Sequence, residues 1–525
     1  MLKFHRALAM LAMLLFPFHP AGAAPGAVVR TDTGAVRGER AAGLDVYRGL
    51  PFAAAPLGEL RWREPAPLAP WPGVRPATAF APACMQQGVS MPGETPPAVS
   101  EDCLYLNIWA PARRAGRPLP VIVWIHGGGY NNGSASMPLY HGDALARRGV
   151  LVVTVAYRLG ALGFLAHPEL TLESPHHTSG NYGLLDQIAA LRWVRRNIAA
   201  FGGDPRRVTV AGQSAGAMSV SALLAAPLAR GLFQRAIAQS GGIFEPLQLA
   251  PGYRLDNAER DGAAFAAARG AATLAQLRAL PAAQLLGNGA EALAHPLVDP
   301  HVLPLTPYEA YVQGRQHDVP LLLGSNAEEA RALVDVAGVT AAGFAAGVER
   351  SVGALPPALL AAYPAASDEQ AREARLGLER ELRFGWDMWA WARLHAAAGG
   401  RPAYYYSFAR RPPFPAASVY AGWGASHFAE LWYMFDHLAQ APWAWSDGDR
   451  ALADNMARYW VNFASGGDPN GAGLPRWPAF GGADPADQLL RLEAPIRAGG
   501  VEQLERLRVF DAVYDGVRGR PFGAR

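Results

Sequence analysis

Half of the 525 residues are hydrophobic and 17% are charged, which supplies a large core and excludes a disordered chain. Lys plus Arg (47) nearly balances Asp plus Glu (44), and no basic run is interleaved with aromatics, so a nucleic-acid groove is excluded as well. Lys3 is the one lysine and lies in a segment expected to be removed, which rules out Schiff-base, Ser-Lys and Walker-A chemistry in the remainder. That segment comprises Lys3 and Arg6, an apolar run at 7–18 and the small residues Ala21-Gly22-Ala23-Ala24. It has the layout of a secretory signal peptide at 1–23, and its apolar run is shorter than the roughly 20 residues a membrane span needs. Residues 24–525 are then expected to form a single domain, secreted or periplasmic. Export would let the two cysteines, Cys84 and Cys103, pair. Closing a loop of that length stabilises by about 3 kcal/mol. No third or fourth cysteine exists for a structural zinc site.

Residues 47–71 are rich in Pro and Gly and predict an extended edge with turns. The runs VIVWI (121–125) and LVVTVAY (151–157) are short, almost wholly apolar and bounded by turn residues, as strands buried on both faces should be. Leu184, Ile188, Leu191, Val194 and Ile198 recur at helical spacing and predict a helix over 183–200, stopped by Phe201-Gly202-Gly203-Asp204-Pro205. A third buried strand follows at 208–210 and a helix at 215–224. Strand and helix alternate, which predicts a parallel α/β sheet. From about 250 to 400, Ala-rich helical stretches are broken by one strand at 319–323, and much of this region is expected to be inserted over the sheet.

Gly212-Gln213-Ser214-Ala215-Gly216 matches G-x-S-x-G and falls between a predicted strand and a predicted helix. A tight turn there strains the serine and presents its hydroxyl above the sheet, while flanking glycines keep side chains clear. His126-Gly127-Gly128-Gly129 directly follows the strand at 121–125. Its bare backbone suits an oxyanion site, with N–H groups of Gly128 and Gly129 joined by that of Ala215. Serine needs a base and the base needs a carboxylate. Glu328 and Glu329 lie just after the strand at 319–323, and His427 closes the stretch Gly422-Trp423-Gly424-Ala425-Ser426-His427. Position alone selects neither one glutamate nor one of the 13 histidines.

Further motifs are Glu101-Asp102-Cys103-Leu104-Tyr105-Leu106-Asn107-Ile108, the run 201–216, Gly324-Ser325-Asn326-Ala327-Glu328-Glu329 and His427-Phe428-Ala429-Glu430-Leu431. Asn462-Phe463-Ala464 and Gly467-Asp468-Pro469-Asn470 complete the set. Together they cover roughly residues 28–480, and the chain resembles the type-B carboxylesterases, which include para-nitrobenzyl esterases, animal carboxylesterases and cholinesterases. The resemblance implies an α/β-hydrolase fold with a mostly parallel central sheet, flanking helices and a cap of insertions. It implies a serine carboxylesterase with nucleophile Ser214, base His427 and acid Glu329, a Cys84–Cys103 disulfide, and Ser240 as a buried serine supporting the triad. Ester hydrolysis would proceed through an acyl-enzyme without metal or organic cofactor, on a small-molecule ester.

The departures narrow the substrate. Cholinesterases stack the quaternary ammonium on a tryptophan of the disulfide loop, and residues 84–103 contain no aromatic. Gln213 stands where the family often has Glu. Trp423, Trp432 and Tyr433 flank His427 and suit either a substrate pocket or core packing. The pair His176-His177 has no carboxylate or further histidine at ligand spacing and is assigned to a surface loop, so no metal site is expected. Two competing functions use the same frame: another acyl hydrolase, such as an amidase or lactonase, and a cholinesterase-like binding module. The latter class loses triad residues, which this chain keeps. Oligomeric state and natural substrate are not legible in the sequence.

Overall fold

The computed structural model describes residues 24–89, 91–112, 116–287, 289–481 and 488–524. The predicted signal at 1–23 lies outside them. The hydrophobic runs assemble into a thirteen-stranded sheet. Twelve of its strands are Ala24–Arg30 (β1), Ala35–Ala41 (β2), Leu44–Pro51 (β3), Tyr105–Pro111 (β4), Leu119–Ile125 (β5) and Leu151–Val155 (β6), then Gly203–Gln213 (β7), Arg235–Gln239 (β8), Leu321–Asn326 (β9), Ala403–Phe408 (β10), Gln488–Leu492 (β11) and Arg497–Gly500 (β12). Their spatial order is β1-β2-β3-β4-β6-β5-β7-β8-β9-β10-β11-β12, and Val74–Pro76 pairs with β2.

From β6 through β11 all neighbours are parallel, while the two edges are antiparallel. The parallel strands are the ones with unbroken apolar runs. Every residue of β6 is buried, as are Val121 to Ile125 in β5, because helices cover both faces. Helix α1 (Tyr182–Asn197) packs the predicted apolar stripe inward, and Ile198–Phe201 tightens to a 3₁₀ turn that ends on Gly202 at φ +89°. Helix α2 (Ala215–Ala225) is buried along nearly its whole length behind β7.

Boundaries differ from the sequence reading in two informative places. β7 begins at Gly203, inside the predicted helix stop, and its register against β5 shifts between Gly203 and Val208. β9 starts after Pro320, which has no N–H for a ladder, and runs on to Asn326. Among the described residues, β9 is the one strand between 250 and 400, and the rest of that region is helices and turns, including Leu255–Ala268 (α3), Asp368–Arg380 (α4) and Trp386–Ala398 (α5). Because β5, β7 and β9 are parallel, the segments after them emerge on one edge of the sheet, the edge where such sheets bind ligands.

Behind that edge Arg158 and Asp186 form a buried ion pair. The guanidinium donates through Nε and Nη2 to Asp186 at 2.8 and 2.7 Å, the Arg158 N–H adds a third bond at 3.0 Å, and neither side chain exceeds 4% exposure. Asp186 lies on α1 and Arg158 follows β6, so the pair ties the helix to the sheet. Removing the carboxylate strands a buried cation, and Asp186→Ala is expected to lower unfolding free energy by about 3–5 kcal/mol in urea titrations. A change below about 1 kcal/mol would show that the pair does not hold the helix in place.

Candidate active site

Ser214 sits on the turn between β7 and α2 at φ +56°, ψ −126°, a region that non-glycine residues rarely occupy. Its N–H donates to Gln239 O (2.8 Å) and its carbonyl accepts from Met218 N–H (2.9 Å), so both neighbours hold the strained turn. The flanking glycines are required by space. A Cβ on Gly212 would stand 2.4 Å from the Gly216 carbonyl carbon, and one on Gly216 would stand 2.1 Å from Ile125 O. The serine is partly exposed while the residues around it are buried.

The loop after β5 passes directly over this turn. A Cβ on Gly127 would fall 2.9 Å from Ser214 Cβ. Gly128 and Gly129 both have positive φ (+104° and +60°), Gly129 is exposed, and nothing lies within 4 Å of where its Cβ would be. Bare backbone therefore faces open space beside the serine. The loop is braced from behind: the Tyr157 hydroxyl donates to His126 O at 2.9 Å, and the rings of Tyr157 and His126 stack at 4.5 Å. Burial pushes the His126 imidazole down to about 4, so it is neutral at pH 7, with Nδ1 2.9 Å from Gly127 O.

Glu329 follows β9 and is fully buried. Its Oε2 lies 2.6 Å from His427 Nδ1, and its Oε1 accepts from the Asn326 N–H at 2.7 Å. Glu328, left open by position alone, turns the other way: it pairs with Arg411 and Arg331 and accepts from Ala425 N–H. The His427 ring is sandwiched, stacked on Phe384 (4.6 Å, 11°) and edge-on to Phe428 (4.3 Å, 61°). Its remaining nitrogen, Nε2, is met by Gln213 Nε2 at 3.1 Å, and Ser214 makes no hydrogen bond to it. The same amide nitrogen is 3.5 Å from Nδ1, so it rests over the ring face beside the serine rather than on the in-plane lone pair of Nε2.

Several residues around this group carry no signal in spacing. Asn326 Nδ2 donates to Ser426 O (2.7 Å) and to Glu430 Oε2 (2.5 Å), and Glu430 Oε1 accepts from Gln239 Nε2 (3.1 Å), while Gln239 Oε1 accepts from Trp460 Nε1. Asn326 and Glu430 lie inside motifs that carry the resemblance, yet nothing in their order says that they meet. Ser240, expected as a buried serine supporting the triad, is buried at φ +53° beside the serine turn, and its hydroxyl bonds to no described residue. Cys84 and Cys103 are bonded, with Cα atoms 5.0 Å apart. Tyr433 is core, donating to Asp449 (2.8 Å), whereas Trp432 borders a cavity of about 480 Å³ with Tyr420, Trp443 and Met91 of the disulfide loop. Trp423 is partly exposed against Phe414 and Tyr420. His176 is on the surface, as expected, but the fold brings His301 and Glu64 against it, which sequence spacing did not disclose.

Burial, reinforced by the nearby Glu329 charge, pushes the Glu430 carboxyl up from 4.5 to about 7, against the opposing Asn326 hydrogen bond and the neighbouring His427. Across that interval the folded protein keeps a proton that the unfolded chain has released, so stability falls as pH rises from 4.5 to 7. The urea midpoint of the wild type is expected to drop over that range relative to Glu430→Gln. A gap between the two proteins that does not change with pH would show that Glu430 titrates normally.

Comparison with known proteins places these features. The Carboxylesterase family model matches residues 25–506. A fumonisin B1 esterase from Sphingopyxis macrogoltabida is 37% identical over 484 residues, covering 87% of this chain and 85% of its own. The para-nitrobenzyl esterase of Bacillus subtilis (strain 168) is 35% identical over 86% of this chain and 92% of its own, and a cocaine esterase from Oryctolagus cuniculus is 35% identical over 91% and 94%. Among solved structures, a thermophilic PNB esterase superposes with a TM-score of 0.80 at 32% identity, covering 92% of this chain and 99% of that one.

Proposed function

The chain belongs to the carboxylesterase family, has the α/β-hydrolase fold and is a carboxylic ester hydrolase, and from that premise we propose that Ser214, His427 and Glu329 are its catalytic triad. The observation that carries the proposal is the buried imidazole fixed by Glu329 at 2.6 Å, on the edge of the sheet where Ser214 is presented. The carboxylate orients the ring with Nδ1–H toward itself and leaves Nε2 to act as base. His427 takes the Ser214 proton, Oγ attacks the ester carbonyl, and the N–H groups of Gly128, Gly129 and Ala215 hold the oxyanion. His427 then protonates the departing alcohol, and water, deprotonated by the same base, releases the acid from the acyl-enzyme.

In this reading Gln213 is a neutral neighbour of the base. Its amide lies over the ring and leaves the in-plane Nε2 lone pair for the serine proton, while the missing Ser214 contact fits the loose catalytic hydrogen bonds of unliganded enzymes. Replacing it by glutamate puts a negative charge 3.1 Å from the imidazole, favours the protonated ring, and is expected to move the acidic limb of the kcat/KM profile up by about 1 pH unit. An unmoved limb would mean that Gln213 does not face the catalytic base.

We read residues 1–23 as a secretion signal and 24–525 as one domain, acting in the periplasm or outside the cell. The Cys84–Cys103 bond, which persists in oxidising compartments, supports this reading, and no described helix is long and apolar enough to cross a membrane. The relatives are named for fumonisin, para-nitrobenzyl and cocaine esters, a spread that calls for a panel of esters in the test. Initial rates on p-nitrophenyl esters from C2 to C12 test the proposal. Wild-type hydrolysis should peak at one chain length and fall by ~10⁴ or more in Ser214→Ala. Equal rates in the two proteins would exclude Ser214 as the nucleophile.

A further inference from the structure

Away from the proposed catalytic centre, three segments far apart in sequence bring Glu64, His176 and His301 together. Glu64 Oε1 lies 3.4 Å from His176 Nε2 and 3.5 Å from His301 Nε2, and the three atoms are within 4.8 Å of one another. Neither contact is a hydrogen bond, and the ring nitrogens of both histidines make none with described residues. The imidazoles instead lie face to face, with centroids 3.6 Å apart and planes 7° from parallel. Both rings thus present the same nitrogen to a single carboxylate oxygen.

Zinc bonds of about 2.0–2.1 Å at tetrahedral angles put ligand atoms about 3.3 Å apart. The two oxygen-to-nitrogen edges already have that length. The third edge, between the nitrogens, is within 4.8 Å, and binding an ion would require the 40% exposed His176 ring to turn out of its stack. One side of the cluster borders a cavity of about 290 Å³ also lined by Tyr182, Asn181 and Asp299, which leaves room for a fourth ligand. Two imidazoles and one carboxylate suit a borderline cation, whereas calcium and magnesium demand all-oxygen shells.

We propose that Glu64, His176 and His301 form a binding site for a divalent transition cation of the zinc type, with its fourth position open to this cavity. The ion would tie the segment after Trp62, the loop before α1 and the turn at His301 to one another. A ligand bound by the folded chain alone also raises its melting temperature. None of the proposed catalytic residues lines the cavity, so ester hydrolysis does not depend on the ion.

The test is calorimetric titration of zinc sulfate into the purified, EDTA-stripped protein, with thermal melts alongside. The wild type should take up one zinc per chain with micromolar or tighter affinity and melt at a higher temperature when loaded. His301→Ala and Glu64→Gln should weaken binding by about tenfold or more and lose the melting shift. His177→Ala, altered beside the cluster but outside it, should bind as the wild type does. All four proteins should hydrolyse p-nitrophenyl esters equally with and without EDTA. The proposal is overturned if the wild type shows no saturable uptake, if His301→Ala and Glu64→Gln bind like the wild type, or if His177→Ala loses the site.

Discussion

Gly216 has no room for a side chain. A Cβ there would meet the Ile125 carbonyl at 2.1 Å, and that close crossing of α2 over the end of β5 sets the position of everything above the sheet. With the helix pressed onto the strand, the chain must leave β7 through a single residue of positive φ, which is Ser214. The same crossing brings the loop after β5 over the serine, so that Gly127 nearly touches its Cβ. Strain at Ser214, of order 1–3 kcal/mol, is held by hydrogen bonds to Gln239 and Met218 and by the packing of an almost wholly buried helix.

The second half of the site depends on where β9 ends. Its last residue, Asn326, offers its N–H to Glu329 and its amide side chain to Glu430 and to the segment before His427. One asparagine thereby fixes the carboxylate, the backbone that carries the imidazole, and a buried acid behind both. Glu430 can be accommodated next to Glu329 because burial raises its carboxyl to about 7, so that below this pH the site is spared two adjacent charges.

The centre of the sheet and the serine turn were legible in the sequence because they rest on local rules. Apolar runs of three to seven residues marked β5, β6 and β7, and two glycines at fixed offsets marked the turn. The choice between Glu328 and Glu329 was not local: adjacent carboxylates at the end of one strand point in opposite directions, and only the positions of Arg411 and His427 distinguish them. That information came from resemblance to a family. Gln213 meeting the imidazole, Phe384 stacking on it, and His301 with Glu64 meeting His176 escaped both routes. Each is a contact between segments that no period or motif connects, and the antiparallel pairing of β3 with β4 was likewise set by a partner distant in sequence.

Phe384 belongs to a short π-helical turn, Glu381–Gly385, between α4 and α5, within the Ala-rich region laid over the sheet. One of the rings of that region lies flat against His427. The insertion is therefore not a detachable module. Grafting the corresponding segment from a relative to import its selectivity would also exchange the apolar surface on which the imidazole rests, so recognition and reactivity would change together unless the graft stopped short of Glu381.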